Sequence, residues 1–149
     1  MRNHPKKHKI TKDVIAVLAK LREMQGKNII VGITKNGAGY ASFEDFKINI
    51  NPDSRLYSLN TIAHEFTHLL QGFTEIPHGE KACEIWTYVK DEMFLDDAPV
   101  YLQTPESVIK DWDRYKLQIR ALCIEAIEKR KKGLRRYISW LENEIKKLA

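Results

Sequence analysis

The apolar residues of this chain run in helical period, then in strand-like period, then in helical period again, and the changes fall at glycine, proline and asparagine-rich points. Ile10, Val14, Val17, Leu18, Leu21 and Met24 recur at helical spacing around Thr11, a natural N-cap, and Gly26 is the expected stop. Residues 28–34 read as a strand. Asn36 and Gly37 form a turn that predicts a hairpin with a short strand over residues 40–43. Residues 46–51 alternate apolar and polar, which predicts a half-exposed strand ended by Pro52.

A helix is expected from about Arg55 to Gln71, with Leu56, Leu59, Ile62, Ala63, Phe66, Leu69 and Leu70 as its apolar face and Gly72 after it. A loop over residues 74–79 leads to a further helix carrying Ala82, Ile85, Trp86, Val89 and Met93, ended near Pro99. Beyond Pro105, Val108, Trp112, Tyr115, Ile119, Leu122 and Ala126 make a heptad-like seam. Its phase breaks at Gly133, and Leu134, Ile138, Leu141, Ile145 and Leu148 begin a second amphipathic helix. The expected fold class is α+β. A first domain is expected over residues 1–105, and a helical extension over 106–149 that packs on it as a hairpin or else offers a coiled-coil contact to a partner.

The apolar fraction of 43% and charged fraction of 30% are ordinary for a globular protein, and no apolar run approaches membrane-spanning length. The basic N-terminus has no apolar stretch behind it, and the two cysteines, Cys83 and Cys123, form no CxxC pair, so a cytoplasmic protein is expected. The net charge of +5 is unevenly spread. Residues 1–9 carry four basic and no acidic side chains, residues 129–149 eight basic and two acidic, and the stretch between 13 basic and 18 acidic. The basic ends offer a contact for nucleic acid or another polyanion, and equally read as a solvated tail and helix face.

Within the helix predicted to end at Gln71 stands His64-Glu65-Phe66-Thr67-His68. Residues i and i+4 lie one turn apart on one helix face. Two imidazoles so placed can hold one Zn²⁺, with the intervening glutamate as general base. A catalytic zinc takes three protein ligands and keeps one position open. The third ligand must come from elsewhere, and His78, Glu80 and Glu84, just past the following turn, are the candidates. A carboxylate not used as a ligand can orient an imidazole N–H.

The segment from His78-Gly79 to Trp86 resembles the HGxxF segment of SprT-like HExxH metallopeptidases, with Ala82 at the phenylalanine position. The resemblance to zincins spans roughly residues 28–95: a small sheet, then the HExxH helix. It implies a zinc-dependent peptidase with His64, His68 and His78 as metal ligands and Glu65 as the base that takes the proton of water and delivers it to the leaving amine. It also implies a peptide or protein substrate, paired with the edge of the strand over 46–51. Tyr40, Tyr57 and Tyr88 are available as oxyanion donors, and spacing selects none of them. Two alternatives stand beside this reading. One is a non-hydrolytic interaction protein with a structural metal. The other is a latent peptidase whose cleft is covered by the tail or by the N-terminus, with His4 or His8 in the open metal position.

Overall fold

The structure is a computed structural model. It describes the backbone of residues 5–149 and side chains from Lys9 onward, so His4 and the His8 side chain lie outside the described residues. The chain parts into two units between Ile76 and Pro77. The fold is α+β, and no helix among the described residues is long and apolar enough to cross a membrane.

The first unit holds α1 (Pro5–Leu18), a 3₁₀ turn (Arg22–Met24), β1 (Ile30–Ile33), β2 (Gly39–Ser42), β3 (Lys47–Ile50) and α2 (Leu59–Gln71). Helix α1 begins at Pro5, so Thr11 lies inside it and not at its cap. Ile10, Val14, Val17, Leu21 and Met24 are all buried, as their spacing requires. Helix α2 packs against α1 and against the sheet.

The sheet corrects the expected hairpin. Its order is β1-β3-β2, with β3 parallel to β1 and antiparallel to β2. Residues 34–38 do not close β1 onto β2, because they are tied to the end of β3. Thr34 N–H donates to the Ile50 carbonyl (3.0 Å), Asn51 N–H to the Ala38 carbonyl (3.0 Å), and Asn51 Nδ2 to the Gly37 carbonyl (2.6 Å). The hairpin is β2–β3. Its turn carries Phe46 at φ 48°, an uncommon backbone conformation for a side chain of this size. Phe46 packs between Phe43 (ring centroids 6.2 Å apart) and Phe73 (5.8 Å).

Strand β3 is therefore central and not half-exposed. Ile48 and Ile50 are fully buried, and Asn49 on the other face is buried too. Gly32 stands opposite Asn49, and a Cβ there would lie 2.5 Å from Asn49 Oδ1, so the missing side chain makes room for the amide.

Helix α2 starts at Leu59 and not near Arg55. Ser58 is its N-cap, with the hydroxyl accepting from Thr61 N–H at 3.0 Å, and Leu56 is left exposed. Gly72 follows the helix with ordinary right-handed angles, so it is not a left-handed cap. A Cβ at Gly72 would fall inside the Phe43 ring, so its place there is a close-approach requirement.

The second unit holds α3 (Glu80–Lys90), a 3₁₀ turn (Glu92–Leu95), α4 (Glu106–Lys110), α5 (Trp112–Lys131) and α6 (Tyr137–Lys146). Its core joins Ile85, Tyr88, Leu95, Leu102, Val108, Ile119, Cys123, Ala126, Leu141 and Ile145. Helices α5 and α6 form the expected hairpin, and α5 packs on α3. The seam is broken at Asp111, and α6 starts at Tyr137, three residues later than its periodicity predicts. Gly133 at φ 106° sets that delay. Leu134 N–H reaches back to the Lys129 carbonyl (2.9 Å), a Schellman closure that ends α5 and leaves Leu134 partly exposed. Arg120 donates from Nε and Nη2 to the Tyr88 and Val89 carbonyls (2.9 and 3.0 Å), capping α3.

Candidate metal centre

His64, Glu65 and His68 all lie on α2. The helix puts the two imidazoles on adjacent turns, with ring centroids 4.7 Å apart and planes nearly perpendicular, and ring nitrogens within 4.8 Å of each other. Zinc binds imidazole at about 2.0–2.1 Å, so a tetrahedral site needs its two nitrogens about 3.3 Å apart. The spacing on adjacent turns and the imidazole chemistry are those of a pair that could hold a metal ion. His64 and Glu65 are buried, and His68 is half-buried.

His68 has a partner that HExxH spacing does not reveal. Its Nδ1 lies 2.7 Å from Oε1 of Gln71, which is buried. The Gln71 carboxamide oxygen accepts, so Nδ1 carries the proton and the Nε2 lone pair is left for a metal. Gln71 sits three residues after His68 on the same helix face, and that i,i+3 relation was its signal in the sequence.

Glu65 meets the sheet at Gly39. A Cβ at Gly39 would lie 3.5 Å from Glu65 Cγ and 2.6 Å from the Asn49 carbonyl oxygen, so β2 passes this close only because residue 39 is glycine. Tyr40 and Ser42 pair with β3, so by antiparallel alternation the N–H and C=O groups of Gly39 and Ala41 face away from it. No strand lies beyond β2 among the described residues. The strand bordering Glu65 with an unpaired edge is thus β2. Residues 46–51, expected to offer that edge, are hydrogen-bonded on both sides.

The other candidates lie in the second unit. His78 is exposed and directly precedes Gly79, the N-cap of α3 at φ 105°. Glu80 is half-buried in the first turn of α3. Glu84 is buried, and its carboxylate is engaged three times. Oε2 accepts from Val100 and Tyr101 N–H (2.7 and 2.9 Å) and Oε1 from Leu102 N–H (2.9 Å). Desolvation raises its pKa, and those three donors only partly oppose that. Glu84 therefore anchors the segment over residues 100–102. Of the tyrosines, Tyr57 donates to Asp13 Oδ2 (2.5 Å) and Tyr88 to the Asp97 carbonyl (2.9 Å), while Tyr40 is exposed on β2. Cys83 and Cys123 are both buried, and neither is in a disulfide.

No family model matches the chain, and neither does any curated protein or solved structure.

Proposed function

We propose that the chain is a zinc-dependent peptidase of the zincin type, akin to SprT-like enzymes, in which His64 and His68 hold the metal and Glu65 is the general base. The observation that carries this reading is the buried Glu65 between two imidazoles on one helix, against an edge strand whose glycine lets the backbone approach it. A zinc ion held there would lower the pKa of a bound water toward about 7 and polarise a carbonyl. A peptide that pairs in extended form with Gly39 and Ala41 brings its scissile bond alongside Glu65. The Glu65 carboxylate takes the proton of the attacking water and returns it to the leaving nitrogen. Gln71 holds the proton on His68 Nδ1, which keeps Nε2 directed at the metal.

The third ligand comes from the segment that opens α3. His78 is the residue the HG resemblance implies. By donor chemistry the Cys83 thiolate is the other candidate in that segment, since thiolate and imidazole are both good zinc ligands. Glu84 is spent on its three backbone donors.

A second reading keeps the metal but closes its fourth position with protein, which makes the chain a non-hydrolytic interaction protein. The buried Cys83 thiol favours it, since thiolates predominate in closed structural sites.

Metal analysis and a generic peptidase assay test the proposal. Wild type should carry zinc, Glu65→Gln should keep it and lose about 10²–10⁴-fold in kcat/KM, and His68→Ala should lose the metal. A metal-free wild type, or an undiminished Glu65→Gln, would overturn it. Cobalt substitution assigns the third ligand. A thiolate-to-cobalt charge-transfer band abolished by Cys83→Ser selects Cys83, and its absence with metal loss in His78→Ala selects His78. Added azide should shift the cobalt spectrum if a position is open, and leave it unchanged if the site is closed.

A further inference from the structure

Residues 129–136, Lys-Arg-Lys-Lys-Gly-Leu-Arg-Arg, link α5 to α6. Six of these eight are basic and none is acidic, whereas the rest of the unit beginning at Pro77 carries eight basic and 13 acidic side chains. A strongly positive tip therefore stands on a negative remainder. Lys129 is half-buried, with Nζ 4.9 Å from the Trp140 ring centroid, and the other five are exposed. Like charges this concentrated repel one another, and none of the six is held in an ion pair among the described residues.

The tip is ordered. The Schellman closure at Gly133 fixes its backbone. The Arg130 guanidinium lies 6.0 Å from the Trp86 ring centroid and 5.8 Å from that of Tyr137. Arg130, Gly133, Leu134, Arg135, Tyr137 and Pro77 bound a cleft of about 470 Å³. Two guanidiniums at one concavity offer the planar, multidentate donors that suit a phosphate, and one of them is already held in place by the rings beneath it.

We propose that the α5–α6 turn binds the sugar–phosphate backbone of nucleic acid, with one phosphate received between Arg130 and Arg135 and its neighbours met by Lys131, Lys132 and Arg136. Phosphates along one strand carry a charge about every 3.4 Å, so a short run of cations can engage several at once. A lipid surface fits less well. Basic segments that settle on membranes carry apolar residues to insert, and the tip has only Leu134, 37% exposed. An acidic protein partner would also want a desolvated apolar anchor beside the charges. The inference does not rest on the peptidase reading, because none of these residues is a proposed metal ligand or the proposed base.

Fluorescence anisotropy of the full chain with a labelled oligonucleotide, single-stranded or duplex, across about 50–200 mM salt tests it. Binding to either should weaken steeply with salt. Arg130→Gln with Arg135→Gln should weaken it about tenfold or more and flatten the log–log salt slope by about 0.7–0.9 per phosphate contact removed. Lys131→Gln with Lys132→Gln, which alters exposed side chains only, should act in the same direction with an unchanged melting temperature. Unaltered affinity in that second pair would overturn the proposal. So would an affinity that falls on neutralising Arg2, Lys6, Lys7 and Lys9 but not the turn. So would binding to anionic phospholipid vesicles with none to the oligonucleotides.

Discussion

Gln71 is the residue whose substitution separates a metal site from two incidental histidines. Its carboxamide oxygen lies 2.7 Å from His68 Nδ1, and the side chain is 7% exposed, so water is a poor substitute for it. With Gln71 in place the imidazole is held in the Nδ1–H form and its ring plane is fixed. In Gln71→Met, which keeps the volume, the ring is free to turn, and the tautomer bearing its proton on Nε2 must convert before it can ligate. Loss of such an orienting partner typically costs 10–100-fold in metal affinity. That is about 1.4–2.7 kcal/mol of binding free energy. Gln71→Glu supplies a stronger acceptor, so it should hold zinc at least as tightly as wild type. The measurement is competition for zinc against a chromophoric chelator at fixed pH, beside a melting curve. A merely structural Gln71 would lower the melting temperature in both variants and leave zinc affinity alone. If Gln71→Met binds zinc within about twofold of wild type, well short of the loss expected of an orienting partner, then Gln71 does not position His68 and the ligand role of Nε2 loses its main geometric support.

Gly39→Ala should move β2 off β3, because its Cβ would meet the Asn49 carbonyl oxygen at 2.6 Å. We expect a loss of about 1–3 kcal/mol of stability, together with a fall in kcat/KM at unchanged zinc content; full activity in the variant would remove β2 from substrate binding. Glu84→Gln replaces one acceptor by a donor facing backbone N–H groups, and at buried Leu102 an unsatisfied N–H costs about 1–3 kcal/mol. The folded-state pKa of Glu84 is raised above its ordinary 4.5, so its protonation stabilises the fold as pH falls through the raised value, and that contribution is lost as pH rises. The stability gap between wild type and Glu84→Gln should therefore widen on acidification from neutral pH toward 4.5, and a gap that narrows in denaturant titrations would refute the assignment.

The helices were largely legible in the sequence, because burial follows a 3.6-residue period whatever the neighbours are. Ile62, Ala63, Phe66, Leu69 and Leu70 are fully buried, as their spacing requires. Sheet order was not legible. Alternation tells which way a side chain points, and not which strands lie alongside. Residues 46–51 read as half-exposed because Asn49 is polar. It is buried because Gly32 in the neighbouring strand leaves room for it, a relation that exists only once β1 and β3 are paired in register. The site divides in the same way. His64, Glu65 and His68 are readable from spacing within one helix. Gly39 matters only through the register that lays β2 against Glu65, and no one-dimensional pattern announces it. Gly72 was expected after α2, but its reason, the Phe43 ring above it, needed the hairpin that the sequence placed elsewhere.

The burial pattern of α2 itself weighs on function. The helix buries ten of its residues, and five of these are polar or charged: Asn60, His64, Glu65, Thr67 and Gln71. Asn60, His64, Thr67 and Gln71 follow one another at spacings of four, three and four, the spacing of a continuous stripe on one face. An ordinary packed helix would fill such a stripe with leucine or isoleucine, since each polar group taken from water without a partner costs about 1–3 kcal/mol by mutational measures. No buried side-chain nitrogen or oxygen among the described residues lacks a hydrogen-bond partner, so the stripe is satisfied. Satisfaction explains how the stripe is tolerated, and not why it is polar. Apolar residues at the same positions would give up nothing in packing. His64 within the stripe, with Glu65 and His68 beside it, has chemistry that apolar residues lack, and Gln71 at the end of the stripe is hydrogen-bonded to His68. A helix that forgoes apolar burial along one stripe, next to a strand that forgoes a side chain at Gly39, gives up stability in the way the proposed metal site would require.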